Sequence, residues 1–90
     1  MKARAHVFVS GRVQGVFFRY ETRRKARRHG VTGWIRNMVN GRVEAIFEGE
    51  ESDVKALVDF CSEGPPAAKV ANVDVRWEAY AGEFQDFQTR

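Results

Sequence analysis

Ninety residues with 15 Lys and Arg against 12 Asp and Glu, a net charge of +3, leave room for one compact domain spanning 1–90. A hydrophobic share of 43% beside 30% charged residues excludes wholesale disorder, and no apolar run approaches the roughly 20 residues of a membrane-spanning helix. The start, Met1 to His6, lacks the apolar stretch of roughly 7–15 residues that a secretion signal needs, and Cys61, the single cysteine, permits no internal disulfide. With no Cys/His cluster at zinc spacing either, a cytoplasmic chain without metal or cofactor is expected.

In chain order, Val7 and Val9 alternate with His6, Phe8 and Ser10, which predicts a strand of about five to seven residues. Gly11-Arg12-Val13-Gln14-Gly15 should break it. From Phe18 the spacing turns helical. Phe18, Thr22, Ala26 and His29 share one side of the wheel, while Tyr20, Arg23, Arg24, Arg27 and Arg28 share the other. Gly30 closes this helix. Strand-like runs follow at Val31–Met38 and Arg42–Glu48, joined by the hairpin signal Asn40-Gly41, and Gly49 should end the second. Val54, Leu57, Val58 and Cys61 then mark an amphipathic helix, capped at Ser52 or just before it and stopped by Gly64-Pro65-Pro66. Val70–Tyr80 resumes period-two alternation, with Val73, Val75 and Trp77 on one face, and Phe84–Thr89 is a short last strand. The order strand, helix, strand, strand, helix, strand predicts an α+β, ferredoxin-like split βαβ sandwich. Its antiparallel sheet has four to five strands, with two helices on one face.

Charge is concentrated. Between Arg19 and His29, six basic residues face Glu21 alone, a local +5 that leaves −2 for the rest. Such a patch draws anions. The stretch Gly11 to Arg19 says where one could sit: it joins a strand to a helix, has glycines at both edges, and contains no Asp or Glu. Free N–H groups at a helix start, with the helix dipole behind them, make an anion site, and glycines let an oxyanion come close. Arg19 stands beside that cradle with a guanidinium able to grip two phosphate oxygens. Equally, glycines at such turns are common, and a first-turn arginine is often only a solvated charge.

Val9-Ser10-Gly11-Arg12-Val13-Gln14-Gly15-Val16-Phe17-Phe18-Arg19 resembles the first signature of the acylphosphatase family. Gly33-Trp34-Ile35-Arg36-Asn37, followed by Asn40-Gly41-Arg42-Val43 and ending at Gly49, resembles the second. Gly64-Pro65-Pro66 with Ala68 and Val70 is similar to the family's turn after its second helix. The resemblance implies a metal-free hydrolase that splits acyl phosphates into a carboxylate and inorganic phosphate. It also implies that Arg19 and the loop residues Arg12, Val13, Gln14, Gly15 and Val16 bind the phosphate, and that Asn37 positions the attacking water. Thr89 stands where the family's last strand usually has an aliphatic residue.

This chemistry suits the residues, because phosphoryl transfer asks mainly for positioning and charge stabilisation and a carboxylate leaving group needs no acid. The expected partner is a small acyl phosphate, with inorganic phosphate or sulfate as a site ligand, no membrane, and a monomeric state. His6, His29 and Cys61 read as structural, and Trp34 and Trp77 as packing anchors. Arg23, Arg24, Arg27 and Arg28 lie too far round the wheel to share a phosphate with Arg19, and serve as a solvated or substrate-steering face. An RNA-binding module would display aromatics on the open sheet face. Here Glu44 and Glu48 around Ile46 would repel a nucleic-acid backbone, and the RNA-binding aromatic motif is missing, so nucleic acid is not the expected partner. A third class, a ligand-sensing or dimerising domain, would use Phe8 and Ile46 as an exposed apolar patch.

Overall fold

The computed structural model describes residues 1–90. Its elements run β1 (Lys2–Arg12), α1 (Phe18–His29), β2 (Thr32–Asn37), β3 (Val43–Glu50), α2 (Glu51–Glu63), β4 (Lys69–Glu78) and β5 (Phe87–Thr89). The strands lie in the order β4-β1-β3-β2-β5. Four of them pair antiparallel, as the sequence predicts, but β5 joins β2 in parallel, so the five-stranded sheet is mixed. Both helices pack on one face, and the fold is the α+β ferredoxin-like sandwich.

Alternation explains which face is covered. Ala5, Val7 and Val9 of β1, Val43, Ala45 and Phe47 of β3 and Ile35 of β2 are fully buried with Val54, Leu57 and Cys61 of α2 and Ala26 of α1. Phe87 of β5 closes this core by stacking on Phe47, ring centroids 5.5 Å apart. The first strand is longer than its alternation suggests, because Gly11 does not break it. The ladder slips there by a bulge, and a Cβ on Gly11 would lie 2.3 Å from the Lys69 carbonyl oxygen, so only glycine lets β4 stay paired to Arg12. Likewise β3 runs through Gly49 to Glu50. Ser52 does not cap α2: the helix starts at Glu51, with no side-chain cap, and the Glu51 amide donates to the Met1 carbonyl (2.9 Å). Trp77 is half exposed on edge strand β4 rather than a packing anchor. Trp34 lies beneath the guanidinium groups of Arg36 and Arg90, on the face away from the helices.

That second face differs most from its sequence reading. Because β4 and β5 sit at opposite edges, residues 79–86 must cross the sheet. Glu48, fully buried at mid-sheet, fastens them: its Oε2 accepts the amides of Ala81 (2.8 Å) and Gly82 (3.4 Å) and Nη1 of Arg4 (3.3 Å). Arg4 reaches on to Glu78 and Glu83. Glu44 is also buried. It accepts Nε of Arg36 (2.6 Å), and its Oε2 lies 2.6 Å from Nε2 of His6. The two carboxylates are thus paired inside the protein and not displayed to repel a polyanion. Ile46 is buried between them, and Phe8 is half-buried between Arg42 and Arg76, so the exposed apolar patch that a dimerising domain would use does not form.

Burial raises the Glu44 carboxyl's affinity for protons, but the bonds from His6 and Arg36 outweigh it and hold the group below its ordinary value of 4.5. A carboxyl lowered on folding contributes stability above its unfolded value and loses it as pH falls through the folded one. Acid unfolding should therefore set in below about pH 4.5, and Glu44→Gln should flatten it, followed by circular dichroism across pH 2–6. Glu48→Ala strips the crossing segment of its anchor and leaves a buried pair broken, at a cost of about 3 kcal/mol in urea unfolding. Burial pushes the Cys61 thiol up to about 12, so a thiol reagent at pH 8 should label the protein only after denaturation.

Candidate active site

Residues 13–17 carry the chain from β1 into α1, and their side chains and backbone are used differently. Val13, Val16 and Phe18 are buried and pin the segment to the core. Gly15 (φ 72°) and Phe17 (φ 63°) take left-handed backbone, which curls the segment back upon itself. No amide from Val13 to Phe17 donates to a protein acceptor, and no side chain caps the start of α1. The first-turn amides of a helix have no intrahelical acceptor either, so a run of unbonded donors gathers at the positive end of the α1 dipole.

Two polar groups converge on this place. Arg19, half-buried in the first turn, donates from Nη1 to the Arg90 main-chain oxygen (3.1 Å). Asn37 ends β2 with its side chain exposed and without a hydrogen bond inside the protein. Arg19, Asn37, Val13 and Gly15 line one cleft of about 370 Å³. Gln14 fixes the loop against the strand that carries Asn37: its Nε2 donates to the carbonyls of Met38 (2.8 Å) and Arg42 (2.9 Å), the two ends of the β2–β3 turn.

Other residues are placed differently. Arg12 lies exposed at the end of β1 opposite Lys69, outside the cleft lining, and the side chains of Gln14 and Val16 do not line it. Arg23 corrects an expectation, because it lines the same cleft as Arg19, one turn further along α1. The cleft opens along the flank of the helix, so positions i and i+4 reach it although they lie off the core face. Arg27, next in that row, is instead held by Asp86 through Nε (3.3 Å) and Nη2 (2.8 Å). The Phe87 amide first, then Arg27 with Arg23 nearby, hold the Asp86 carboxyl below its ordinary value. Phe17, Tyr20 and Thr89 also line the cleft. Thr89 escaped the sequence reading as a cleft residue, since only the parallel pairing of β5 places it beside Ile35 on the face that Asn37 shares. No carboxylate lines the cleft, and neither histidine does. His6 is held by Glu44 and Glu78, and His29 joins α1 to Asp53 of α2 (3.0 Å).

Fold and cleft together describe a small α+β sandwich whose first helix opens on an anion-receptive hollow. The family model described as Acylphosphatase matches residues 5–89. An acylphosphatase of Pelotomaculum thermopropionicum is 59% identical over 87 residues, covering 97% of this chain and 95% of that protein. Among solved structures, an acylphosphatase from Coxiella burnetii superposes with a TM-score of 0.92 at 40% identity, over 99% of this chain and 93% of the other. That of Bacillus subtilis gives 0.93 at 32% identity, over 100% and 99%. The chain belongs to the acylphosphatase family. It is accordingly a hydrolase acting on acyl phosphates, with no helix long and apolar enough to cross a membrane.

Gln14→Ala would remove two hydrogen bonds and release the loop from the β2–β3 turn. Stability in urea should fall by about 1–2 kcal/mol. Turnover should fall further than phosphate affinity, as measured by steady-state kinetics beside calorimetric phosphate binding.

Proposed function

We propose that the amides of the Arg12–Val16 loop and the guanidinium of Arg19 hold the phosphoryl group of an acyl phosphate, and that Asn37 positions the attacking water. The observation that carries this is the convergence of Arg19, Asn37 and the unbonded loop amides on one cleft free of carboxylates. Phosphoryl oxygens gain charge stabilisation from donors already in place, which need not reorganise during the reaction. The amide of Asn37 cannot serve as a base but can orient water by donating or accepting. Water oxygen bonds to phosphorus while the bond from phosphorus to the carboxyl oxygen breaks, and the carboxylate leaves with that electron pair. One water proton stays on the new P–OH. The other passes to a non-bridging phosphoryl oxygen, giving carboxylate and dihydrogen phosphate.

On this reading Arg23 is a second cation that draws the dianion toward Arg19. Inorganic phosphate and sulfate bind in the same hollow, and the chain works as a cytoplasmic, monomeric single domain on small molecules, not on nucleic acid. Charge compensation comes from Arg19 and the amides. Phosphate release from acetyl phosphate should therefore survive a metal chelator, while a phosphate monoester, whose alkoxide leaves poorly, stays intact.

Asn37→Ala should cut kcat on the order of 10²–10³-fold, the typical loss of one well-placed donor, with phosphate affinity nearly unchanged. Arg19→Gln should lose both turnover and affinity. An Asn37→Ala protein with parental kcat would refute the assignment.

A further inference from the structure

A second cleft lies between the helices and shares no residue with the first. Its volume is about 140 Å³, and Glu21, Arg24, Lys25 and Arg28 of α1 line it with Phe60 of α2. Phe18 packs on Phe60 at one end of α1 (ring centroids 6.2 Å apart), and His29 meets Asp53 at the other. The helices therefore run antiparallel, with this trough between them. Three cations stand in it against one carboxylate. Nη1 of Arg24 binds Glu21 (3.3 Å), which leaves its Nε and Nη2 free, and neither Lys25 nor Arg28 has an acidic partner. Arg28 is four positions from Arg24 and three from Lys25, spacings at which like charges repel. Only Glu21 offsets this, because α2 contributes a ring and no carboxylate. The Lys25 ammonium lies 5.7 Å from the centroid of Phe60, whose apolar surface makes charge pairing beside it stronger than in open water.

We infer that this trough is a second anion site, and that its ligand is a compact anion of two linked phosphoryl groups, with inorganic diphosphate the simplest. The volume is well below the roughly 300 Å³ at which sites begin to enclose drug-sized molecules, so only a small ion fits within it. Arg24 and Arg28 stand one helical turn apart, about 6 Å along the axis. A single phosphoryl group engages one guanidinium fork. Two joined through an oxygen reach both forks, and the Lys25 ammonium supplies a point charge beside the bridge. Such an anion also removes the repulsion among the three cations. The site does not depend on the roles of Arg19 and Asn37.

The test titrates inorganic diphosphate at constant ionic strength into isotope-labelled Arg19→Gln protein, and NMR follows the amide signals of the two clefts separately. Signals of residues 21–28 and of Phe60 should shift to saturation with one equivalent bound. Adding Lys25→Gln and Arg28→Gln, both at helix positions that glutamine suits, should weaken this binding about tenfold for each cation, the low end for charge-assisted hydrogen bonds. Diphosphate should likewise raise the Tm of Arg19→Gln and leave that of the triple variant unmoved. Succinate, a dianion without phosphoryl groups, should bind more weakly by tenfold or more. Shifts confined to residues 12–19 would overturn the inference. So would an affinity indifferent to Lys25 and Arg28, or succinate binding as tightly as diphosphate. If Arg19→Gln does not fold, the parent and Lys25→Gln/Arg28→Gln are compared instead, and the helix signals alone decide. Loss of the loop signals with the helix signals retained would count against the phosphoryl assignment at Arg19 and not against this second site.

Discussion

The arrangement depends on a set of backbone donors that the protein itself leaves unused. Amides without an acceptor in the fold contribute nothing to fixing their own segment, so a segment with five in succession must be held in place by other means. Here the side chains do it. Val13, Val16 and Phe18 are sunk in the core, and Gln14 is fastened across to Met38 and Arg42. The same glutamine fixes the distance between the loop and the end of β2. Donors for an anion and the proposed water-positioning amide of Asn37 are therefore set by one contact between segments far apart in sequence. Phe17 adds a further cost, on the order of 1–2 kcal/mol for left-handed backbone in a residue with a Cβ.

The rest of the fold keeps this corner stiff. Parallel pairing of β5 beside β2 brings Thr89 next to Ile35 and puts the Arg90 main-chain oxygen within reach of Arg19. That pairing requires residues 79–86 to cross the sheet, and Glu48 makes the crossing stable by accepting two of its amides while Arg4 neutralises the charge. One oxygen, Oε1 of Glu48, stays buried without a partner. The carboxylate is thus held by three donors on one oxygen, and the cationic hub of Arg4, with Glu78 and Glu83 beside it, carries the balance.

Much of this was legible in the sequence, and the illegible parts share a cause. Local signals gave the helices, the Asn40-Gly41 turn and the two ends of α1, because periodicity and glycine act over a few residues. The motif resemblance singled out Arg19 and Asn37, which one cleft indeed gathers. Long-range pairing escaped. Nothing local says that Gly11 sits in a bulge against Lys69 or that Phe87 joins β2 in parallel. Nor does it say that Glu44 and Glu48 meet Arg36, His6 and Arg4 instead of solvent. The wheel that set Arg23 apart from Arg19 failed similarly, since it separates core from water and has no sector for a cleft along a helix flank.

That flank also shows how the basic helix can serve two ends without conflict. Arg19, Arg23 and Arg27 recur at every fourth position and would repel one another if all were free. The structure divides them: Arg27 is taken by Asp86, Arg24 pairs with Glu21, and Arg19 and Arg23 stay with the cleft. Asp86 lies just before Phe87, whose ring is locked into the core against Phe47. The acid that screens the far end of the row is thereby kept at Arg27 and out of the cleft lining. Positive potential at the hollow follows from where one carboxylate is anchored as much as from how many arginines the helix carries.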